Sequence, residues 1–268
     1  MSNFSFDKIQ NLIIDMDGVL WRGNTPLPGL KDFVNAIHNT NRKMLLATNN
    51  SSKTIDQYLS KLQNMGIKAT AKEILTSSQA TGNYLNNLSQ NDRKVFVIGQ
   101  DGLIDAMKHY NFQITNQNAD YVVVGVDTNI SWDKLNTAVQ LIRSGSKFVG
   151  TNPDTTYPTE NGIGVGNGVI LAAIEAATNV KPMIIGKPER HIFDQALDIL
   201  GADPSNTLMI GDRLDTDILG AKKAGISSLL VLTGVTDSNI LTNSDIQPDV
   251  IMNGLPEITV KLYSSETQ

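Results

Sequence analysis

Two carboxylates one residue apart close an apolar run near the start of the chain, where Asn11-Leu12-Ile13-Ile14 leads into Asp15-Met16-Asp17-Gly18. Side chains alternate faces along a strand, so Asp15 and Asp17 present to one side only where the strand ends. Open α/β sheets place their ligand crevice at the carboxyl ends of strands, and this strand delivers two acids there. Gly18 supplies the backbone freedom to turn away at once. Hard oxygen ligands at such a site suit Mg²⁺, and a free carboxylate oxygen can act as a nucleophile. Taken alone, Asp-Gly more often marks a turn. An EF-hand loop is excluded, because its later ligand positions fall on Val19 and Pro26, where oxygen side chains are required.

Three further strand or loop ends carry matching chemistry. Thr48-Asn49-Asn50 brings a hydroxyl and amides suited to holding a phosphoryl oxygen. Lys187 sits in Gly186-Lys187-Pro188 just before a helix, where a fixed ammonium neutralises phosphate or carboxylate charge. Gly211-Asp212-Arg213-Leu214-Asp215-Thr216-Asp217 ends a strand with acids again, and Arg213 beside them is a further candidate for touching substrate. Each feature alone has an ordinary reading, since Asn and Thr close turns and Asp caps helices. Together they point to one crevice. Two other motifs fail on spacing. The third glycine of a dinucleotide fingerprint starting at Gly164 falls on Val169, and Gly186-Lys187 lacks the rest of a P-loop. His38, His109 and His191 lie far apart in helix-like stretches and read as helix-surface residues.

The elements that must position these groups alternate between strand-like and helix-like almost throughout, which predicts an α/β fold. Helical spacing covers 30–39, about 54–65, 78–88, 102–110, 132–143 and 189–200, with short buried strands near 43–47, 95–99, 121–125, 147–150, 207–211, 228–232 and 249–252. The stretch 151–168 is rich in Pro, Gly, Thr and Asn and reads as loop, with Asn167 capping the helix after it. Between Asp17 and Thr48 only one helix fits, whereas the span from Asn50 to Lys187 far exceeds a single crossover. That excess predicts a second α/β domain.

Hydrophobic content of 40% and charged content of 18% are those of a soluble globular protein. A net charge of −5 argues against a general nucleic-acid surface but leaves room for a small phosphorylated metabolite. The chain has no cysteine, so thiol and zinc-thiolate chemistry are excluded. With no signal-like start and no apolar run of membrane-spanning length, a cytoplasmic location is expected.

In this order the motifs resemble the haloacid dehalogenase-like (HAD) hydrolase superfamily, carried by Asp15-Met16-Asp17-Gly18, Thr48-Asn49, Lys187 and Gly211-Asp212 through Asp217. Thr151-Asn152-Pro153-Asp154, Gly186-Lys187-Pro188 and Gly211-Asp212-Arg213 are similar to its NagD-like, p-nitrophenylphosphatase-like subfamily. The resemblance implies a Rossmann-like parallel-sheet core, 1–79 and 185–268, with an inserted α/β cap, 80–184, that sets substrate choice. It implies Asp15 as nucleophile, Asp17 as general acid and base, and Thr48, the amide of Asn49 and Lys187 on the phosphoryl oxygens. Asn50 and Arg213 are the outer substrate candidates. It assigns Mg²⁺ to Asp15, the backbone carbonyl of Asp17, and Asp212, with Asp217 in support. An acid at Asp17 points to a phosphatase or a phosphomutase; a non-catalytic phosphometabolite binder would not need it. Relatives with this cap often form homodimers through it. The glycine-rich 164–168 stretch departs from the family pattern, which usually carries a proline there.

Overall fold

The computed structural model describes residues 4–88, 91–159 and 162–265. The chain forms two compact units. The first contains the chain up to Thr48, Leu59–Leu75, and Pro188 onward; the second contains Asn49–Tyr58 and Thr76–Lys187.

A six-stranded sheet organises the first unit, in the order Val250–Met252, Ser227–Val231, Thr207–Gly211, Asn11–Ile14, Lys43–Thr48, Ile74–Thr76. The strand met first in the chain therefore lies inside the sheet. Its successors Lys43–Thr48 and Ile74–Thr76 build outward on one side, and the strands from Thr207 onward build on the other. Strand order reverses at Asn11–Ile14, and this is where an open α/β sheet binds its ligand. Leu12, Ile13 and Ile14 are fully buried, so the strand reads as a continuous apolar run rather than an alternating one. Helix Leu30–Asn39 buries Leu30, Phe33, Val34 and Ile37, and helix Arg190–Leu200 buries Ile192, Phe193, Ala196, Leu197 and Leu200. Each follows the helical period, and each large side chain contributes about 1.5–3 kcal/mol by leaving water. Gly201, at φ 59°, ends the second helix in the left-handed conformation.

The second unit holds a five-stranded parallel sheet in the order Met183–Ile184, Lys147–Gly150, Tyr121–Val124, Lys94–Ile98, Gln113–Ile114. Phe96, Ile98, Val122, Val124 and Phe148 pack against Ala138 and Ile142 of helix Trp132–Arg143 and Leu171 and Ile174 of helix Asn167–Thr178. The residues after Thr48 join this unit through specific hydrogen bonds. Ser77 Oγ donates to Asn49 O (2.7 Å), Ser78 Oγ to Ser51 O (2.9 Å), Gly102 N to Ser52 O (3.0 Å) and Val126 N to Ser51 Oγ (3.1 Å). The unit thus begins and ends a few residues outside the expected 80–184 and takes in 49–58 as well.

Two local expectations need correction. The stretch 151–168 is not all loop: Thr156–Thr159 and Gly162–Val165 pair antiparallel as a two-stranded ribbon. Thr, Tyr, Ile and Val favour strands, and Pro158 is tolerated because a two-stranded ribbon is all edge. Asn167 is the first residue of its helix rather than its cap, which is Gly166. Its buried Nδ2 donates instead to Val124 O (3.1 Å) and Asn152 O (2.8 Å), joining the end of strand Tyr121–Val124 to the loop at Asn152. Among the described residues no helix is long and apolar enough to cross a membrane.

Candidate active site

Strand register assembles the acidic groups. Ile14 lies opposite Leu46 on one side and Ile210 on the other, so Asp15, Thr48 and Asp212 follow at the carboxyl ends of three adjacent strands. The Asp15 N–H donates to Ile210 O (2.9 Å), carrying the ladder one residue further. Carboxylate oxygens of Asp15, Asp212 and Asp217 lie within 4.8 Å of one another, and all three residues are buried. Like charges so close and so dry repel strongly unless a cation or protons offset them. Three hard oxygen donors fit a divalent metal of the Mg²⁺, Ca²⁺ or Mn²⁺ kind.

Each acid is aimed by its surroundings. Asp212 Oδ2 accepts from Val235 N (2.7 Å), and the Asp212 carbonyl accepts from Thr236 N (3.1 Å). A Cβ added at Gly18 or at Gly234 would run into the Asp212 carboxyl, so both glycines leave space for it; Gly18, at φ 87°, also makes the turn after the first strand. Asp217 is carried by a π-helical turn, Leu214–Ile218, in which Ile218 N donates to Arg213 O (3.2 Å). That wider turn brings Asp217 Oδ2 back to the backbone N–H groups of Asp212 (3.2 Å) and Arg213 (3.1 Å). Gly211 has no side chain where one would strike Asp217. Arg213 forms a two-point pair with Asp215, at 3.1 and 2.9 Å.

Asp17 is half-buried, and its Oδ1 accepts from the indole Nε1 of Trp21 at 2.8 Å. Sequence reasoning gave Trp21 no role, because a tryptophan beside an apolar run reads as core. The signal was its place four residues after Asp17, on the short hairpin Trp21–Arg22/Thr25–Pro26.

The second unit carries Asn49, Asn50 and Lys187. Asn49 clamps the Lys187 main chain from both sides, with Nδ2 donating to Lys187 O (2.9 Å) and Oδ1 accepting from Lys187 N (2.8 Å). Its other amide hydrogen goes to Asp154 Oδ2 (3.0 Å), which also accepts from Asn152 Nδ2 (2.8 Å). The Asn49 side chain is therefore a brace for Lys187, and its main-chain N–H is the group left for a ligand. Lys187 is only 2% exposed, so water screens its charge poorly. Asn50 Oδ1 accepts from Ser52 N (2.9 Å) and Ser52 Oγ (2.7 Å), closing a turn.

Residues 12–113 match the haloacid dehalogenase-like hydrolase family model, and residues 184–258 match a HAD-hydrolase-like model. An acid sugar phosphatase of Staphylococcus haemolyticus is 38% identical, covering 88% of this chain and 90% of its own. The chain belongs to the haloacid dehalogenase-like hydrolases. The 5′-nucleotidase YutF of Bacillus subtilis, another relative, is 37% identical over 91% of this chain and 95% of its own. The crystal structure of a Thermotoga maritima 4-nitrophenylphosphatase superposes with a TM-score of 0.91 at 34% identity, covering 95% of this chain and 98% of that one. Within the HAD hydrolases the chain falls in the NagD-like, p-nitrophenylphosphatase-like group.

Proposed function

We propose that this phosphatase, a hydrolase of small phosphate monoesters, works through an aspartyl-phosphate on Asp15. The observation that carries this reading is the buried Asp15–Asp212–Asp217 cluster at the carboxyl ends of adjacent strands. An Asp15 oxygen bonds to phosphorus as the P–O bond to the alcohol breaks, and Asp17 gives its proton to the departing oxygen. Asp17 then takes a proton from water, whose oxygen attacks phosphorus and frees Asp15 with release of inorganic phosphate. Thr48, the main-chain N–H of Asn49 and the Lys187 ammonium bind the phosphoryl oxygens where charge accumulates.

Asp15, the Asp17 carbonyl and Asp212 are the groups that would hold Mg²⁺, which when bound offsets the charge of the phosphate dianion. Asp217 supports that site through the main chain of Asp212, and Arg213 is the outermost substrate contact. Substrates are of the classes named for the relatives: sugar phosphates, nucleoside monophosphates and, in vitro, p-nitrophenyl phosphate. The second unit sets the choice among them, with the paired strands Thr156–Thr159 and Gly162–Val165 as the candidate specificity element. A cytoplasmic homodimer through the second unit completes the reading, and exposed Trp132, Ile163 and Val165 are apolar surface such a dimer would cover.

Phosphate release from a panel of these esters, with Mg²⁺ and with EDTA, tests the proposal. Metal-dependent release that drops at least about a thousandfold in Asp15→Asn is expected. Release unaffected by EDTA, or Asp15→Asn turnover within about tenfold of wild type, would contradict it.

A further inference from the structure

We propose that Trp21 is the positioning residue of the acid–base group, an indole N–H that fixes one oxygen of Asp17 and leaves the other for proton exchange with the ester oxygen and with water. The inference rests on the assignment of Asp17 above and adds to it the residue that aims it.

The contact is chemically unambiguous. An indole N–H donates and never accepts, so Trp21 Nε1 and Asp17 Oδ1, 2.8 Å apart, have one arrangement. The tryptophan neither takes up the mobile proton nor competes for it. Its ring is fully buried, whereas the carboxylate it holds is only half-buried. The short side chain of Asp17 is thus tethered by a group that the fold immobilises. Four hydrogen bonds fix the frame around Trp21. Trp21 O accepts from Gly18 N (2.8 Å), and Leu27 N donates to Leu20 O (2.9 Å), closing the hairpin. Arg22 Nε donates to Thr233 O (2.9 Å), while Thr233 Oγ1 donates to Gly18 O (2.7 Å). The hairpin that carries Trp21 and the loop whose Val235 N–H aims Asp212 are therefore one hydrogen-bonded assembly.

Lys61 adds a third member. Its Nζ lies 4.0 Å from the centre of the Trp21 ring, on helix Ile55–Asn64. A cation over an indole face draws electron density from the ring, which makes the ring N–H a stronger donor. Lys61, Trp21 and Asp17 form a chain in which the first two touch no reacting atom and act through the third. Misplacing a catalytic group by about 1 Å costs on the order of 100-fold, so the tether has a measurable effect.

Leaving-group dependence separates positioning from general stability. A p-nitrophenolate departs without a proton, whereas an alkoxide from a sugar phosphate needs one. Trp21→Phe removes the N–H and keeps most of the apolar volume. Its kcat/KM is expected to fall about 10–100-fold for an alkyl phosphate but stay within about threefold for p-nitrophenyl phosphate. Lys61→Met, which keeps the stem, is expected to move the same ratio in the same direction by a smaller factor, and it supplies the readout should Trp21→Phe not fold. Asp17→Asn should show the same selectivity, and adding Trp21→Phe to it should cost nothing further. Equal losses for both esters in Trp21→Phe and Lys61→Met, or an additive double variant, would overturn the proposal. A leaving-group-independent loss in Asp17→Asn would instead contradict the assignment of Asp17 itself.

Discussion

Asp212 is held between two glycines, Gly18 and Gly234, and is oriented by the N–H of Val235. Small departures at such a site matter, because groups that orient a metal ligand are typically worth 10–100-fold in metal affinity. Gly234→Ala places a methyl group against the Asp212 carboxyl. The Mg²⁺ concentration that half-activates phosphate release is therefore expected to rise about 10–100-fold. An unchanged midpoint in a folded variant would show that Asp212 has slack to move. At this scale the sequence disclosed residue types and left out their supports. Asp15, Asp17, Lys187 and Asp212 stand out only together, because each alone has an ordinary reading but all four fall at strand or loop ends in one order. Gly234, Val235 and Trp21 do not. The first two act from a loop brought in by the neighbouring strand Ser227–Val231, and the third is camouflaged by its own hydrophobicity.

At the scale of elements, the π-helical turn Leu214–Ile218 is the least expected feature of the first unit. A helix start near Asp217 is readable from the sequence; the wider turn ahead of it is not, since no residue preference marks one hydrogen bond spanning five residues rather than four. Its purpose is visible in Asp217, whose Oδ2 accepts from two successive main-chain N–H groups. Asp217→Asn keeps an acceptor oxygen, while Asp217→Ala leaves both donors, one buried and one part-buried, unmatched. In metal-free urea unfolding the alanine variant is expected to be about 1–3 kcal/mol less stable than the asparagine variant, both having lost the charge. Equal losses would mean that the charge, not the hydrogen bonds, holds the turn. The ribbon 156–165 was hidden for a different reason. Its strand-forming Thr, Tyr, Ile and Val are diluted by Gly and Pro, so pairing rather than periodicity defines it. The helix Leu255–Ser264, which buries Leu255, Ile258 and Leu262, also escaped notice, because its Pro and polar residues blur the apolar stripe.

For the whole molecule, spacing alone was enough to require a second α/β body between Asn50 and Lys187. It was not enough to set the edges. Asn49–Ser52 belong with the second unit because the hydroxyls of Ser77 and Ser78 and the backbone of Gly102 and Val126 bind them there, contacts that no local pattern announces. The chain crosses between units four times, and two of the crossings, Thr48–Asn49 and Lys187–Pro188, fall on motifs proposed for the chemistry. The full chain is the right object for a direct test. On the proposed mechanism Asp17→Asn is expected to slow hydrolysis of the intermediate, so acid-quenching this variant during turnover of p-nitrophenyl phosphate and mapping the label by peptide mass spectrometry would locate any phosphoryl group. The account predicts one phosphoryl adduct, on Asp15, absent when Asp15→Asn is added. Phosphate release with no adduct at any time, or an adduct on another residue, would contradict it.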